Sequence, residues 1–277
     1  MEAFRKLKTR LTRNSQDTSR LRPPELSSAS QLDTRLEWSR TISSYFEAED
    51  VTNEQINFPA LMHAVGDVTG KIVLDFGCGN GRFTSRLEPL GAAKVIGVDI
   101  SPSMIDLAKQ VNPNSHVEYH ANPDNSLSFL ANDSVDVVMA NLVFMMLPSR
   151  EEVAKAMKEI HRVLKPGGSF AYLITHPAFI ERGAHDYRNE FDGPFNYTVE
   201  GKPYKFILRK ADGTEIDEDF YDYHYMLSTY LNTTINSGFN LCHVEEVSYS
   251  DEVIKKYGIS KEFQTFPQAI VIKGEKV

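Results

Sequence analysis

VLDFGCGNGRF, Val73 to Phe83, is the stretch whose reading decides the fold. An apolar run ends in Asp75, and three glycines follow at alternate positions, Gly77, Gly79 and Gly81. The run reads as a strand buried on both faces, as parallel strands are. The glycines read as a tight strand-to-helix turn whose backbone approaches a ligand closely, because no Cβ stands in the way. Asp75 then falls at the carboxyl end of a strand, where open α/β sheets bind their ligands.

Outward from that turn, strands and helices alternate. Pro59 suits the first turn of a short helix beginning near Asn57. The glycine turn predicts a helix over Arg82–Leu90, closed by Gly91. A second apolar strand, Lys94–Val98, ends in Asp99, and Ser101 followed by Pro102 starts a helix that runs to about Val111. Further strands are expected at Val117–His120, Ser134–Ala140 and Ser169–Thr175. Between the last two, a helix capped by Ser149 runs to a Lys165-Pro166-Gly167-Gly168 turn. Such alternation signals right-handed βαβ units and a parallel sheet. A helix over Leu227–Ser237 and strands at Asn240–Val247 and Gln268–Ile272 close the chain, the last one antiparallel. Residues 176–225 break the pattern: they hold eleven aromatics and three of the eight histidines. So long a segment between regular elements reads as a functional loop or lid.

The composition is that of an ordinary globular protein, 41% hydrophobic and 25% charged. Cys78 and Cys242 are too few for a disulfide framework or a metal cluster, so no metal site is expected and the setting reads as reducing and cytoplasmic. No apolar stretch reaches the length of a membrane span. The net charge of −8 is uneven, because residues 1–22 carry seven basic groups against two acidic ones, which leaves the remainder at about −13. An acidic body argues against a nucleic-acid surface. Residues 1–30 read as a basic, poorly ordered tail, with a homo-oligomer arm, an organellar targeting segment or a membrane-surface anchor as its possible roles. Over residues 31–56 the periodicity predicts a helical cap, presenting Trp38, Tyr45 or Phe46 to the crevice or packing them on the sheet.

The glycine spacing separates ligand classes. Dinucleotide folds want G-x-G-x-x-G, whereas this chain has G-x-G-x-G with Arg82 where the third glycine of that pattern would stand. With an acidic residue two positions before the first glycine, the motif resembles that of class I S-adenosylmethionine-dependent methyltransferases. VIGVDIS is similar to that family's ribose-binding segment, SVDVVMAN to its fourth strand, and HRVLKPGGSF to the turn before its fifth. The resemblance covers residues 57–175 and extends weakly to Val247. It implies a Rossmann-like, doubly wound, mostly parallel seven-stranded sheet with an antiparallel last strand. On that frame come a helical N-terminal cap, an aromatic-rich insertion over 176–225 after strand 5, and a C-terminal part, 226–277, that completes the sheet.

By the same resemblance the cofactor is S-adenosyl-L-methionine. The backbone of Gly77, Cys78 and Gly79 would pass its methionine portion, and Asp75 would accept from its ammonium group. Asp99 would take the ribose hydroxyls, while Ile100 and Met104 would contact the adenine face. Asn122 or Asp124 would read the adenine edge, and Asn141 and Leu142 would sit near the sulfonium. The branch that methylates menaquinone, ubiquinone and natural products has a similar layout, which implies a small, apolar or aromatic methyl acceptor. A base is needed where the acceptor must lose a proton, and His176, His224 and His185 are the candidates in that order. Phe144, Tyr187 and Tyr223 join the cap aromatics as candidate acceptor contacts. Two other readings stay open: an RNA or protein methyltransferase, which the basic tail favours, and a binding protein that keeps the cofactor without catalysis.

Overall fold

The computed structural model describes residues 48–277 except 114–115, 217 and 219. The tail, most of the cap, and with them Trp38, Tyr45 and Phe46, lie outside the described residues. Among these, a π-helical turn, Asn53–Asn57, runs directly into helix α1, Phe58–Val65, with Pro59 in its first turn. Then follow β1 (Ile72–Phe76), β2 (Lys94–Asp99), α2 (Pro102–Val111), β3 (Val117–Ala121), β4 (Val135–Asn141), α3 (Arg150–Val163) and β5 (Leu164–Thr175). Strands β6 (Tyr187–Glu190), β7 (Pro203–Leu208) and β8 (Phe220–Tyr223) come next, and then α4 (Leu227–Asn236), β9 (Phe239–Val247), α5 (Asp251–Tyr257) and β10 (Ala269–Lys276).

Seven strands form one sheet in the order β3-β2-β1-β4-β5-β10-β9. Strands β1 to β5 pair in parallel, and β10 runs antiparallel to both its neighbours. The apolar runs are buried on both faces because each face carries its own core. On one side Val73, Val137 and Leu173 meet Leu61 and Val65 of α1, Ile105 of α2 and Ile254 of α5. On the other, Leu74, Val138 and Tyr172 meet Met157 and Ile160 of α3 and Tyr230 of α4. Strand order reverses between β1 and β4, and this switch point opens a crevice at their carboxyl ends. No helix among the described residues is long and apolar enough to cross a membrane.

Three local expectations are corrected. The helix expected over Arg82–Leu90 is a run of turns with one 3₁₀ turn, Thr84–Arg86. Pro89 biases Glu88 away from helical backbone, and the side chains of Arg82, Thr84 and Arg86 are committed to partners elsewhere. The KPGG segment is an irregularity inside β5: Leu164 pairs with Val135 and Ser169 with Val137, so the intervening residues bulge. Residues 176–225 are not an irregular loop, for β6, β7 and β8 make a separate three-stranded antiparallel sheet. Leu208, Ile216 and Phe220 form its small core, with Phe206 and Tyr187 packed against it. Its anchor is Glu200, whose Oε1 accepts from Met226 N and Thr229 Oγ1 at the start of α4, while Arg150 of α3 pairs with Oε2. A carboxylate at a helix N-terminus meets free N–H groups and the positive end of the dipole.

Candidate active site

The glycine turn is shaped by its neighbours. Gly77 has φ +79°, and a Cβ there would lie 2.3 Å from Val143 Cγ2. Gly81 has φ +73°, and its Cβ would meet Tyr119 Oη at 2.5 Å. At Gly79, φ +54°, nothing lies within 4 Å of that position. The outer glycines are therefore required by packing, and the middle one faces open space at the crevice. Gly77 N and Cys78 N both donate to Val98 O at 2.8 Å, tying the turn to β2. The Cys78 side chain belongs to the core, and burial holds its thiol well above the ordinary range.

Two carboxylates frame the turn. Asp75 is buried, accepts from Thr84 Oγ1 at 2.6 Å, and is pushed up to about 7, chiefly by burial. Asp99 accepts from Gly79 N at 2.8 Å through Oδ2 and from Ser101 N at 2.9 Å through Oδ1, and burial also raises its pKa. Each of its oxygens has a second lone pair to offer. Ser101 caps α2, its side chain accepting from Met104 N, so the cap and the ribose candidate are neighbours with separate tasks. Met104 is buried and Ile100 half-buried beside Asp99.

At the end of β3, Asn122 N donates to Asp99 O at 2.7 Å, and its side chain is buried with Nδ2 unpartnered. Asp124 is exposed, and hydrogen bonds from Ser126 within its own turn, from the hydroxyl and then the backbone N–H, hold its carboxylate below the usual range. At the end of β4, Asn141 Nδ2 donates to Asn53 Oδ1 at 2.9 Å, while Asn141 Oδ1 is buried without a partner. Leu142 follows with φ +58°, a left-handed conformation that a leucine holds only where its surroundings impose it. Phe144 is fully buried against Phe76, Phe170 and Tyr172, which gives it to the core and not to an acceptor pocket. Tyr223 is likewise in the main core, and Tyr187 packs in the insertion.

The three histidines differ in what is left to them. His176 is buried with Nε2 2.9 Å from Glu246 Oε1 and Nδ1 accepting from Ala178 N, so both ring nitrogens are occupied. His185 lies 3.5 Å from Glu49. His224 Nε2 is 2.8 Å from Tyr197 O; a carbonyl only accepts, so Nε2 carries the proton and Nδ1 the lone pair. That Nδ1 is buried with no partner, and burial lowers the pKa of the ring.

Sequence reading missed a polar seam from the chain segment before α1. Arg82 donates to Asp50 at 2.6 Å and pairs with Glu54, and Arg86 meets Glu54 with two hydrogen bonds of 2.9 and 2.6 Å. Burial pushes Asp50 up to about 7 although Arg82 opposes it. Thr52 bonds the Asp186 carboxylate through both its N–H and its hydroxyl, and its hydroxyl also meets Tyr249 Oη. Asn57 Oδ1 is buried and unpartnered. The one signal available was Arg82 standing in a glycine's place.

These residues fit a nucleoside ligand with a charged tail. Gly79 leaves free space at the turn, Asp99 keeps spare lone pairs and Asn122 holds an orphaned amide, groups of the kind such a ligand would need. A model of the methyltransferase domain family matches residues 74–172. The chain is 28% identical over 199 residues to N-demethylindolmycin N-methyltransferase of Streptomyces griseus, spanning 70% of this chain and 82% of that protein. Demethylmenaquinone methyltransferase of Chlorobaculum parvum is 38% identical over 102 residues, which is 37% of this chain and 39% of that one. An S-adenosylmethionine-dependent methyltransferase from Mesorhizobium loti superposes with a TM-score of 0.62 at 27% identity, over 79% of this chain and 96% of that one. With the strand order, the glycine turn and Asp99 in place, the chain belongs to the class I S-adenosylmethionine-dependent methyltransferases.

Proposed function

We propose that the methyl acceptor is a small organic molecule held between the carboxyl end of β4 and the three-stranded insertion, and that His224 removes its proton. The observation that carries this is the unpartnered, buried Nδ1 of His224 in its fixed tautomer. A lone pair held ready in a dry site suits proton abstraction near neutral pH. Tyr225, next in the chain, donates to Leu147 O at 2.8 Å and fastens this end of the insertion to the segment following Asn141. Phe195 and Tyr197 stand around the His224 ring, with centroids 5.0 and 5.5 Å away, which favours an apolar or aromatic acceptor. His176, with both nitrogens engaged, acts in this reading as a tie between β5 and β9. The Streptomyces griseus relative, named for N-methylation of a small molecule, supports the acceptor class.

The bound cofactor supplies an activated methyl group, so the protein's part is to hold the acceptor in line and take up its proton. Transfer of label from S-[methyl-³H]adenosylmethionine to a panel of small aromatic amines, phenols and enols tests the reading. Label in one or more of these compounds is the expected result. Label only in RNA or protein from a cell extract would favour the macromolecular alternative instead. Cofactor binding with no transfer to any acceptor would favour a non-catalytic binder.

The state of Asp75 makes a separate prediction. Its folded pKa of about 7 stands above the ordinary value, so its contribution to the stability of the cofactor-free fold is complete below about pH 4 and is lost as pH rises through 7. An ammonium group beside it wants the ionised form. Cofactor affinity is therefore expected to climb from pH 5.5 to 7.5, by at most about tenfold per pH unit below 7, and to level off above. Calorimetric titrations across that range check this, and a flat profile, or the same slope in Asp75→Asn, would place the ammonium elsewhere.

A further inference from the structure

We propose that His63, His243 and Glu245 bind a divalent transition-metal ion, Zn²⁺ foremost, at a site separate from the cofactor crevice. His243 and Glu245 lie two residues apart on β9, so their side chains leave the same face of the strand. β9 is the outermost strand, set apart from β4 by β5 and β10. His63 comes from the last turn of α1, whose Leu61, Ala64 and Val65 are buried against the sheet and fix where the histidine stands. Both imidazoles converge on one carboxylate oxygen: Glu245 Oε2 is 3.5 Å from His63 Nδ1 and 3.2 Å from His243 Nε2. The three ligand atoms lie within 4.8 Å of one another.

Those separations carry the argument. Tetrahedral zinc with ligand bonds of about 2.0–2.1 Å has ligand–ligand edges of about 3.3 Å. Two of the three edges, 3.2 and 3.5 Å, already bracket that value. A small rotation of His63, whose side chain is 76% exposed, closes the third. Two imidazole nitrogens and one carboxylate oxygen favour Zn²⁺, Cu²⁺ or Ni²⁺ over Mg²⁺ or Ca²⁺, which prefer all-oxygen shells. With three protein ligands at the surface, water completes the shell. The ion would clamp α1 to the sheet edge. α1 continues the π-helical turn that carries Asn53 to Asn141, so the clamp would steady one wall of the crevice from outside it.

The test uses the full chain, tag-free and stripped with chelator, titrated with Zn²⁺ by calorimetry and followed by thermal melting. One ion per chain with a Kd on the order of micromolar is expected, together with a rise in Tm. His63→Ala and Glu245→Gln should each weaken binding at least tenfold and abolish the Tm rise; His63 is exposed enough that its loss leaves the fold intact. Cys242→Ser should leave binding unchanged, since the three converging ligand atoms do not include that neighbouring thiol. No heat at 100 µM Zn²⁺, binding that survives His63→Ala with His243→Ala, or binding lost with Cys242 alone would each overturn the site.

Discussion

Asp99→Ala is expected to weaken S-adenosylmethionine binding by about a hundredfold and to lower the melting temperature of the cofactor-free protein. Both effects have one origin. The carboxylate holds Gly79 N through one oxygen and Ser101 N through the other, so it joins the glycine turn to the start of α2 before any ligand arrives. Hydrogen bonds to a charged group contribute about 1.5–3 kcal/mol each. Removing the carboxylate strands two backbone donors and, if Asp99 holds the ribose as the family resemblance implies, deletes that acceptor as well. Asp99→Asn separates the contributions, because an amide keeps one acceptor but turns an NH₂ toward the second backbone donor. It should fall between wild type and alanine in both stability and affinity. Calorimetry with the cofactor and its demethylated product, run beside thermal melts, reads the two effects. Unchanged affinity in Asp99→Ala would remove Asp99 from the cofactor site, whatever happens to stability.

His224→Ala is expected to reduce kcat by about a hundredfold or more, the range of general-base catalysis, while leaving cofactor affinity within about twofold. The wild-type rate should fall on the acid side of the ordinary histidine pKa, because burial depresses the pKa of this ring. That acid limb should vanish in the variant. The alanine also leaves the Tyr197 carbonyl without its donor, so a modest loss of stability accompanies it. The pH profile is the readout that a merely structural role would not change. His176→Ala supplies the contrast: it breaks the contacts to Glu246 and Ala178, and so should lower Tm more than kcat. The reverse pattern, a turnover defect at His176 with His224 silent, would move the base to the end of β5.

How far these assignments were legible in the sequence depends on the distance between partners. The strands of the parallel sheet could be read because each apolar run is buried on both faces. The placement of Asp75 and Asp99 near strand ends, the glycine turn and the Ser101 cap could be read because each rests on a local run of sequence. What escaped was built from distant pieces. Thr52 and Asp186 are 134 positions apart, and Asn53 and Asn141 are 88; no local pattern marks either pair. The insertion's aromatic content was visible, but it does not tell a ligand pocket from a small sheet with its own core. The helix expected after the glycine turn failed because side-chain bonds to Asp75, Asp50 and Glu54 outweigh a weak local preference cut short by Pro89. α5 was missed although its signals are local: Ser250 as cap, acids in the first turn, lysines in the last, and Gly258 in the left-handed conformation.

The position of β10 bears on how the protein comes into being. It lies between β5 and β9, pairing Glu275 with Ser169 on one side and Lys276 with Phe239 on the other. During synthesis β9 emerges first and has no neighbour to join, because its place in the sheet exists only once β10 is in register. The nascent chain therefore carries an open flank on β5 and an unpaired β9 until residues 269–276 have left the ribosome. Exposed strand edges of this kind invite pairing with other chains, so a chain lacking residues 269–276 should lose the β5–β10–β9 pairings and aggregate.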